Sequence, residues 1–305
     1  MACNRDGCMT TRKLFIVCVV CAAAITCLLT PVLTAQARVS APRADGHSTP
    51  LLVYTAAASG PGCAPLAVIS HGAGGSESGY RYLAEVMSEA GFRTIVMGHQ
   101  ESGLNALRSD IRAKGLRQGV TALVANPEAE KARLLDVGAA LQWAAAQCKP
   151  SFRVLLGHSM GAETVMLEAG AKNMIGVASP PAGQDRFDAY VALSPEGPGV
   201  VFPEHAWSKI RKPILILTGT RDQSLKGGPQ ARQIPWHELP GSGAARCQWM
   251  GVLEDATHMN FAGNGFGAAR VEQIVVKTTA SFLNGVRGER CTRPLPVVGM
   301  TLQAK

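Results

Sequence analysis

Aromatic side chains are scarce, 5% of 305 residues, and charged side chains reach only 17% against 47% hydrophobic. The low charge excludes an extensively disordered chain. The low aromatic content excludes a broad aromatic platform. No basic run exceeds two residues and no nucleic-acid motif is present, so the formal net charge of +8 reads as a basic, solvated surface. The glycine-rich stretch His71-Gly72-Ala73-Gly74-Gly75 is not followed by the Gly-Lys-Ser/Thr of a phosphate loop. Beyond residue 37 there is no C-x-x-C pair, which excludes the usual zinc and redox spacings. Internal repeats and interdomain linkers are missing as well. Residues 38–305 are therefore expected to form one domain, a size at which a single large core is ordinary.

The N-terminus has a different composition. Arg12 and Lys13 precede an apolar run from Leu14 to Leu29, followed by Thr30-Pro31 and then Ala35-Gln36-Ala37. A positive flank, an apolar stretch and an A-x-A site predict a secretory signal peptide over residues 1–37. The protein is then secreted or periplasmic, and meets a membrane only where the leader stays uncleaved. Removing Arg5, Asp6, Arg12 and Lys13 lowers the formal charge from +8 to +6. Five of the nine cysteines go with the leader; Cys63, Cys148, Cys247 and Cys291 remain. An even set of four in an exported chain predicts two disulfides.

Short apolar runs then alternate with helical patterns. The runs are Pro65–Ser70, Phe92–Met97, Phe152–Leu156, Ala189–Leu193, Pro213–Thr218 and Cys247–Leu253. Most are continuous rather than alternating, as strands buried on both faces are. Asn126-Pro127 makes a helix start, with Leu134, Val137, Leu141 and Ala145 on one face. A last helix spaces Val271, Ile274, Val275, Thr278 and Phe282 on one face, with Asn284-Gly285 as its stop. This order predicts an α/β fold with a mostly parallel central sheet and helices on both faces.

Gly157-His158-Ser159-Met160-Gly161 sits between a strand run and a helical stretch. G-x-S-x-G in that context is a nucleophile elbow, which lifts a serine oxygen above the carboxyl end of the sheet. A serine hydroxyl needs a base, and on such a fold the order is Ser, then Asp or Glu, then His. Only His205, His237 and His258 follow Ser159, and only His258 directly follows a strand run. Asp222 ends the preceding run and is the expected orienting acid; Glu254 and Asp255, adjacent to His258 in sequence, are its rivals. The amide of Met160 and one from the glycine-rich turn are expected to hold the oxyanion. Ala73 is the assignment there, with Gly72 and Gly74 as alternatives, and His71 is expected to be structural.

Ser70–Gly75 with Gly79-Tyr80 and Tyr82-Leu83-Ala84 resembles the start of bacterial dienelactone-hydrolase-like and platelet-activating-factor-acetylhydrolase-like esterases. Gly157–Gly161, Ala192-Leu193-Ser194-Pro195, Gly219-Thr220-Arg221-Asp222 and His258 continue the resemblance, from about Leu51 to Phe282. It implies the α/β-hydrolase fold, a carboxylic-ester substrate and no cofactor; no metal is expected either, given the missing C-x-x-C spacing. It also implies Ala73 and Met160 as oxyanion amides and Ser159, Asp222 and His258 as a triad. Dienelactone hydrolases carry a cysteine nucleophile where this chain has Ser159, so dienelactone itself is not the expected substrate.

The expected activity is hydrolysis of small-molecule or polymeric esters through an acyl-enzyme, with no nucleic acid and no stable partner. Peptide or amide hydrolysis on the same fold is the alternative, and a non-catalytic binding protein a further one. Between Ser194 and Pro213 there is room for a loop and a short helix but not for a cap domain, which predicts an open cleft. Trp207, Trp236 and Trp249 are candidates to line it. On this fold the strands after Cys63 and Cys148 are parallel neighbours, and Cys247 opens the last strand while Cys291 follows the last helix. The expected pairing is therefore Cys63–Cys148 and Cys247–Cys291.

Overall fold

The computed structural model describes residues 36–57, 62–178, 186–240, 247–288 and 296–305. The expected leader lies outside them except for Gln36 and Ala37, which open the first strand. The strands are β1 (Gln36–Pro42), β2 (Ser48–Tyr54), β3 (Leu66–Ser70), β4 (Arg93–Met97), β5 (Arg153–His158), β6 (Ala189–Leu193), β7 (Ile214–Arg221), β8 (Gln248–Thr257) and β9 (Met300–Ala304). They form one sheet in the order β1-β2-β4-β3-β5-β6-β7-β8-β9. The pairs from β4 across to β8 are all parallel; β1, β2 and β9 join antiparallel at the two margins.

The six central strands match the six apolar runs. Every residue of β3 and β6 is buried, so their side chains face protein on both sides. The two faces can be told apart by alternation. Val68 and Leu155 point into one core with helices α3 (Leu116–Val124), α4 (Pro127–Gln147) and α5 (Met160–Glu168). Ala67, Ile69, Val154 and Leu156 point into the other, with α1 (Arg81–Glu89) and α7 (Ala268–Arg287). Each fully buried Val, Leu or Ile stabilises by about 1.5–3 kcal/mol, so these two faces supply most of the driving force.

The marginal strands were not expected. β1 is largely exposed, β9 buries none of its residues fully, and both lack a continuous apolar run, as edge strands do. Two helices differ in detail from expectation. In α4 Asn126 caps as foreseen, its side chain accepting from the amides of Glu128 (2.9 Å) and Ala129 (3.3 Å). The buried face, however, is rotated. Val137 is buried, Ala145 is exposed, and Glu130, Arg133 and Asp136 are buried with it. Those charged residues go inward because polar partners await them, as described below. Helix α7 buries the expected face but runs through Asn284-Gly285 to Arg287, and the Gly288 amide then donates to the Asn284 carbonyl (3.0 Å). One glycine costs a helix only about 1 kcal/mol, less than its packed face supplies.

The segment between β6 and β7 folds back into the core through Val201, Phe202, Trp207 and Ile210 and forms no cap. Cys63 and Cys148 are bonded, with Cα atoms 5.6 Å apart, just ahead of β3 and β5. Cys247 is also disulfide-bonded, while Cys291 of the expected second pair lies outside the described residues.

Candidate active site

Parallel strands β3, β5, β6, β7 and β8 end at one edge of the sheet, so the loops that follow them converge. Strand β5 turns directly into α5 at Ser159, whose backbone is forced to φ 56, ψ −123. A left-handed φ is unfavourable for a non-glycine residue and persists only where surroundings over-determine it. Here they do. A Cβ on Gly157 would strike the Gly161 carbonyl, and one on Gly161 would strike the Ser70 carbonyl of β3. Strand, turn and helix are thus pressed together at backbone distance, and both glycines of the motif are steric necessities.

Ser159, His258 and Asp222 meet in this turn. Ser159 Oγ lies 3.0 Å from His258 Nε2, and His258 Nδ1 lies 3.1 Å from Asp222 Oδ1. Asp222 directly follows β7 and His258 directly follows β8, so two neighbouring parallel strands deliver acid and base together. The capping box of Thr257 and Asn260 fixes the short turn that carries His258. The rivals Glu254 and Asp255 are exposed. His205 instead faces Glu238, 3.7 Å away.

Asp222 is wholly buried. Burial pushes its carboxyl up, but the hydrogen bond from His258, the charge of Arg232 and a hydrogen bond from Ser194 together outweigh burial and hold it below the usual range. Arg232 donates from Nε to Asp222 Oδ1 (2.8 Å) and Thr218 Oγ1 donates to Oδ2 (2.9 Å). The same guanidinium also donates to the carbonyls of Ser194, Pro195 and Gln223. It therefore ties the β6 and β7 loops to the carboxylate. Ser194 Oγ stands 2.7 Å from His258 Nδ1, with φ 54 at the end of β6.

The glycine-rich turn after β3 lies opposite. Three of its amides are occupied: Gly72 donates to Tyr80 Oη (3.2 Å), Gly74 to the Ser102 carbonyl (2.8 Å) and Gly75 to the Gly72 carbonyl (3.1 Å). The Ala73 amide has no partner among the described residues, and neither has the first amide of α5, at Met160. This distinguishes Ala73 from Gly72 and Gly74 as the available donor. His71 is buried in the turn. Its Nδ1–H donates to the Gly72 carbonyl (2.6 Å) and its Nε2 accepts from the His99 amide (3.0 Å). Burial, with His99 and Arg133 nearby, holds its pKa well below the ordinary histidine value.

A further chain links the two halves. Tyr80 Oη donates to His158 Nδ1 (2.7 Å), and His158 Nε2–H donates to the His258 carbonyl (3.1 Å). Burial, then the neighbouring His258, keeps His158 neutral and able to serve both roles. Beneath the turn, Arg133 donates to Ser102 Oγ (2.8 Å), Ser70 Oγ (3.2 Å) and the His71 carbonyl (2.7 Å). His99 joins Ser70 to Asp136, which also accepts from Thr49 and Arg43. Glu130 and Glu163 complete this buried layer. Burial raises both carboxyls, and each keeps one oxygen without a partner among the described residues.

A cavity of about 470 Å³ opens beside Ser159, with Ala73, Leu104, His158, His258, Met259 and Ala262 among its walls. Trp207, Trp236 and Trp249 do not line it; all three are buried in the core. Among the described residues no three His, Cys, Asp or Glu side chains converge on a metal position.

Ser194, Arg232, Tyr80 and His158 went without a role in the sequence. Ser194 carries a faint signal as the polar residue ending a buried strand run. Arg232 carries none, being one more basic residue in a polar stretch.

No family model matches this chain, and no curated protein matches it either. Solved structures do. The thermophilic esterase Est2 of the planctomycete Thermogutta terrifontis, solved with propionate, superposes with a TM-score of 0.57 at 18% identity, covering 82% of this chain and 94% of that one. A candidate dienelactone hydrolase from Klebsiella pneumoniae gives 0.56 at 17% identity, over 82% and 98%. A prolyl endopeptidase gives 0.56 at 14% identity, over 85% of this chain but only 40% of that one. With the parallel sheet, its helices on both faces and the converging strand-end loops, these likenesses establish that the chain has the α/β-hydrolase fold.

Proposed function

We propose that this protein is a serine hydrolase that cleaves carboxylic esters through an acyl-enzyme. The observation that carries the reading is the continuous hydrogen-bonded line Ser159–His258–Asp222 at a strained elbow, facing two unoccupied amides. Ser159 Oγ attacks the ester carbonyl while His258 Nε2 takes its proton. The carbonyl oxygen gains negative charge in the tetrahedral intermediate. The amides of Ala73 and Met160 donate to it, and the N-terminus of α5 adds its dipole. Asp222, kept ionised by Arg232, His258 and Ser194, accepts from Nδ1–H and stabilises the imidazolium. His258 then returns the proton to the departing alcohol. Water attacks the acyl-enzyme by the same route, and the acid leaves.

A fluorophosphonate probe tests the reading. It should label the wild type at Ser159, mapped by peptide mass spectrometry, and should not label Ser159→Ala. Absence of labelling, or labelling elsewhere, would refute it. The likeness to a prolyl endopeptidase supports peptide-bond hydrolysis as a second reading, which paired ester and anilide substrates separate. Export belongs to the proposal too. The leader pattern motivates it, and the Cys63–Cys148 bond fits an oxidising compartment. N-terminal sequencing of protein recovered outside the cytoplasm tests it, with Arg38 expected at the start of the chain.

A further inference from the structure

The cleft does not end at Ser159. A second cavity of about 410 Å³ adjoins the first, and Gly75, Ser76 and Leu104 line both. Leu104 begins helix α2 (Leu104–Lys114) and stands about half exposed, an apolar ridge between the two. Beyond the ridge the walls change character. Pro50 adds an apolar surface, and Glu77, Gln100 and Asn105 bring side-chain oxygens. No lysine or arginine lines this cavity. The Glu77 carboxylate is held in place by Arg38. His99 also borders the space, but both its ring nitrogens are engaged, with Asp136 and Ser70.

We propose that this second cavity is a subsite for the alcohol part of the ester, and that this part is uncharged and rich in hydroxyls, a sugar or another polyol. The proposal rests on the hydrolase reading above and adds the substrate class. Oxygen acceptors suit hydroxyl donors. Leu104 and Pro50 suit the C–H faces of a sugar ring. Glu77 is paired with Arg38, but no lysine or arginine lines the cavity itself, so anionic groups such as carboxylate or phosphate meet a carboxylate and no facing cation. The cavity's exposed rim also fits the alcohol part, which must depart while the acyl group stays bonded to Ser159.

Two substrates and two variants test this. p-Nitrophenyl acetate engages only the first cavity; mono-O-acetyl maltotriose spans both. Wild type should hydrolyse both, and free maltotriose should compete with the sugar ester while leaving p-nitrophenyl acetate within about twofold. Asn105→Trp, at an exposed position, puts an indole into the second cavity. It should lower kcat/KM for the sugar ester roughly tenfold while leaving p-nitrophenyl acetate within about twofold. Glu77→Gln, which keeps the shape and loses the charge, should let a succinylated maltotriose acetate compete better than it does in wild type. An unchanged ratio of the two kcat/KM values in Asn105→Trp, or no sugar-ester turnover by an enzyme that cleaves p-nitrophenyl acetate, overturns the subsite alone. Should Asn105→Trp lose both activities, the Glu77→Gln result decides. Failure of wild type on p-nitrophenyl acetate overturns the hydrolase reading itself.

Discussion

The strand-end loops and the polar layer beneath them are both built from titratable side chains, yet they are organised oppositely. In the loops, Ser159 and His258 face a cavity open to solvent, and each partner sits where a strand stops. In the layer, Arg133, Asp136, Glu130 and Glu163 are buried in protein and, with His99, hold the glycine-rich turn from below. The first region places charge where a reaction can use it. The second spends buried charge on holding a backbone shape. The contrast teaches that two ionisable clusters can be separated by where their unsatisfied groups lie: the upper one leaves amide donors beside a cavity, the lower one leaves Arg133 Nη2 and one oxygen each of Glu130 and Glu163 enclosed in protein.

Mutation should split activity from stability along this line. The largest effect belongs above. Ser159→Ala should lower ester turnover by about 10⁴-fold or more with little change in Tm, measured on purified protein. Near-normal turnover would erase the distinction. Next comes Arg133→Met below, which strands the Ser102 hydroxyl and the His71 carbonyl and leaves Ser70 with His99 alone. Breaking such a buried ionic cluster costs about 3–5 kcal/mol, readable as a lowered denaturation midpoint, with activity lost in proportion to unfolding. If activity collapses while stability holds, Arg133 belongs with the upper group.

The smallest effect is a pH dependence. Burial raises the Glu130 carboxyl in the folded state. The folded protein then binds a proton that the unfolded chain has released, so stability is full below the unfolded pKa and falls as pH rises through the folded one. Glu130→Gln removes this term. Relative to wild type, its Tm should improve on going from about pH 5 to about pH 8. A constant or shrinking difference would show that Arg133 keeps Glu130 ionised throughout.

These two regions also divide what could be read from the sequence. The upper one was legible because it is written in local order. Gly157–Gly161 follows a strand run, and Asp222 and His258 end two others. Which amide of the glycine-rich turn is left without a partner was legible only to within a residue on either side, since that depends on which amides Tyr80, Ser102 and Gly72 already occupy. The lower region was not legible at all. Charged residues on a helix read as its wet side, and nothing in Glu130, Arg133 or Asp136 announces Ser70, Ser102 or His99 from distant strands and loops. The margins failed for the reverse reason: β1 and β9 bury too little to leave a pattern. The tryptophans were placed by type, and packing with Phe202 and Phe282 took two of them inward.

The Cys63–Cys148 bond joins the beginnings of β3 and β5, while the glycine-rich turn and Ser159 follow their far ends. The clamp and the workplace share the same two strands but sit a full strand length apart. Reduction of that bond therefore bears on how long a molecule lasts, through heat, proteases and wear. It bears far less on how quickly an intact molecule works.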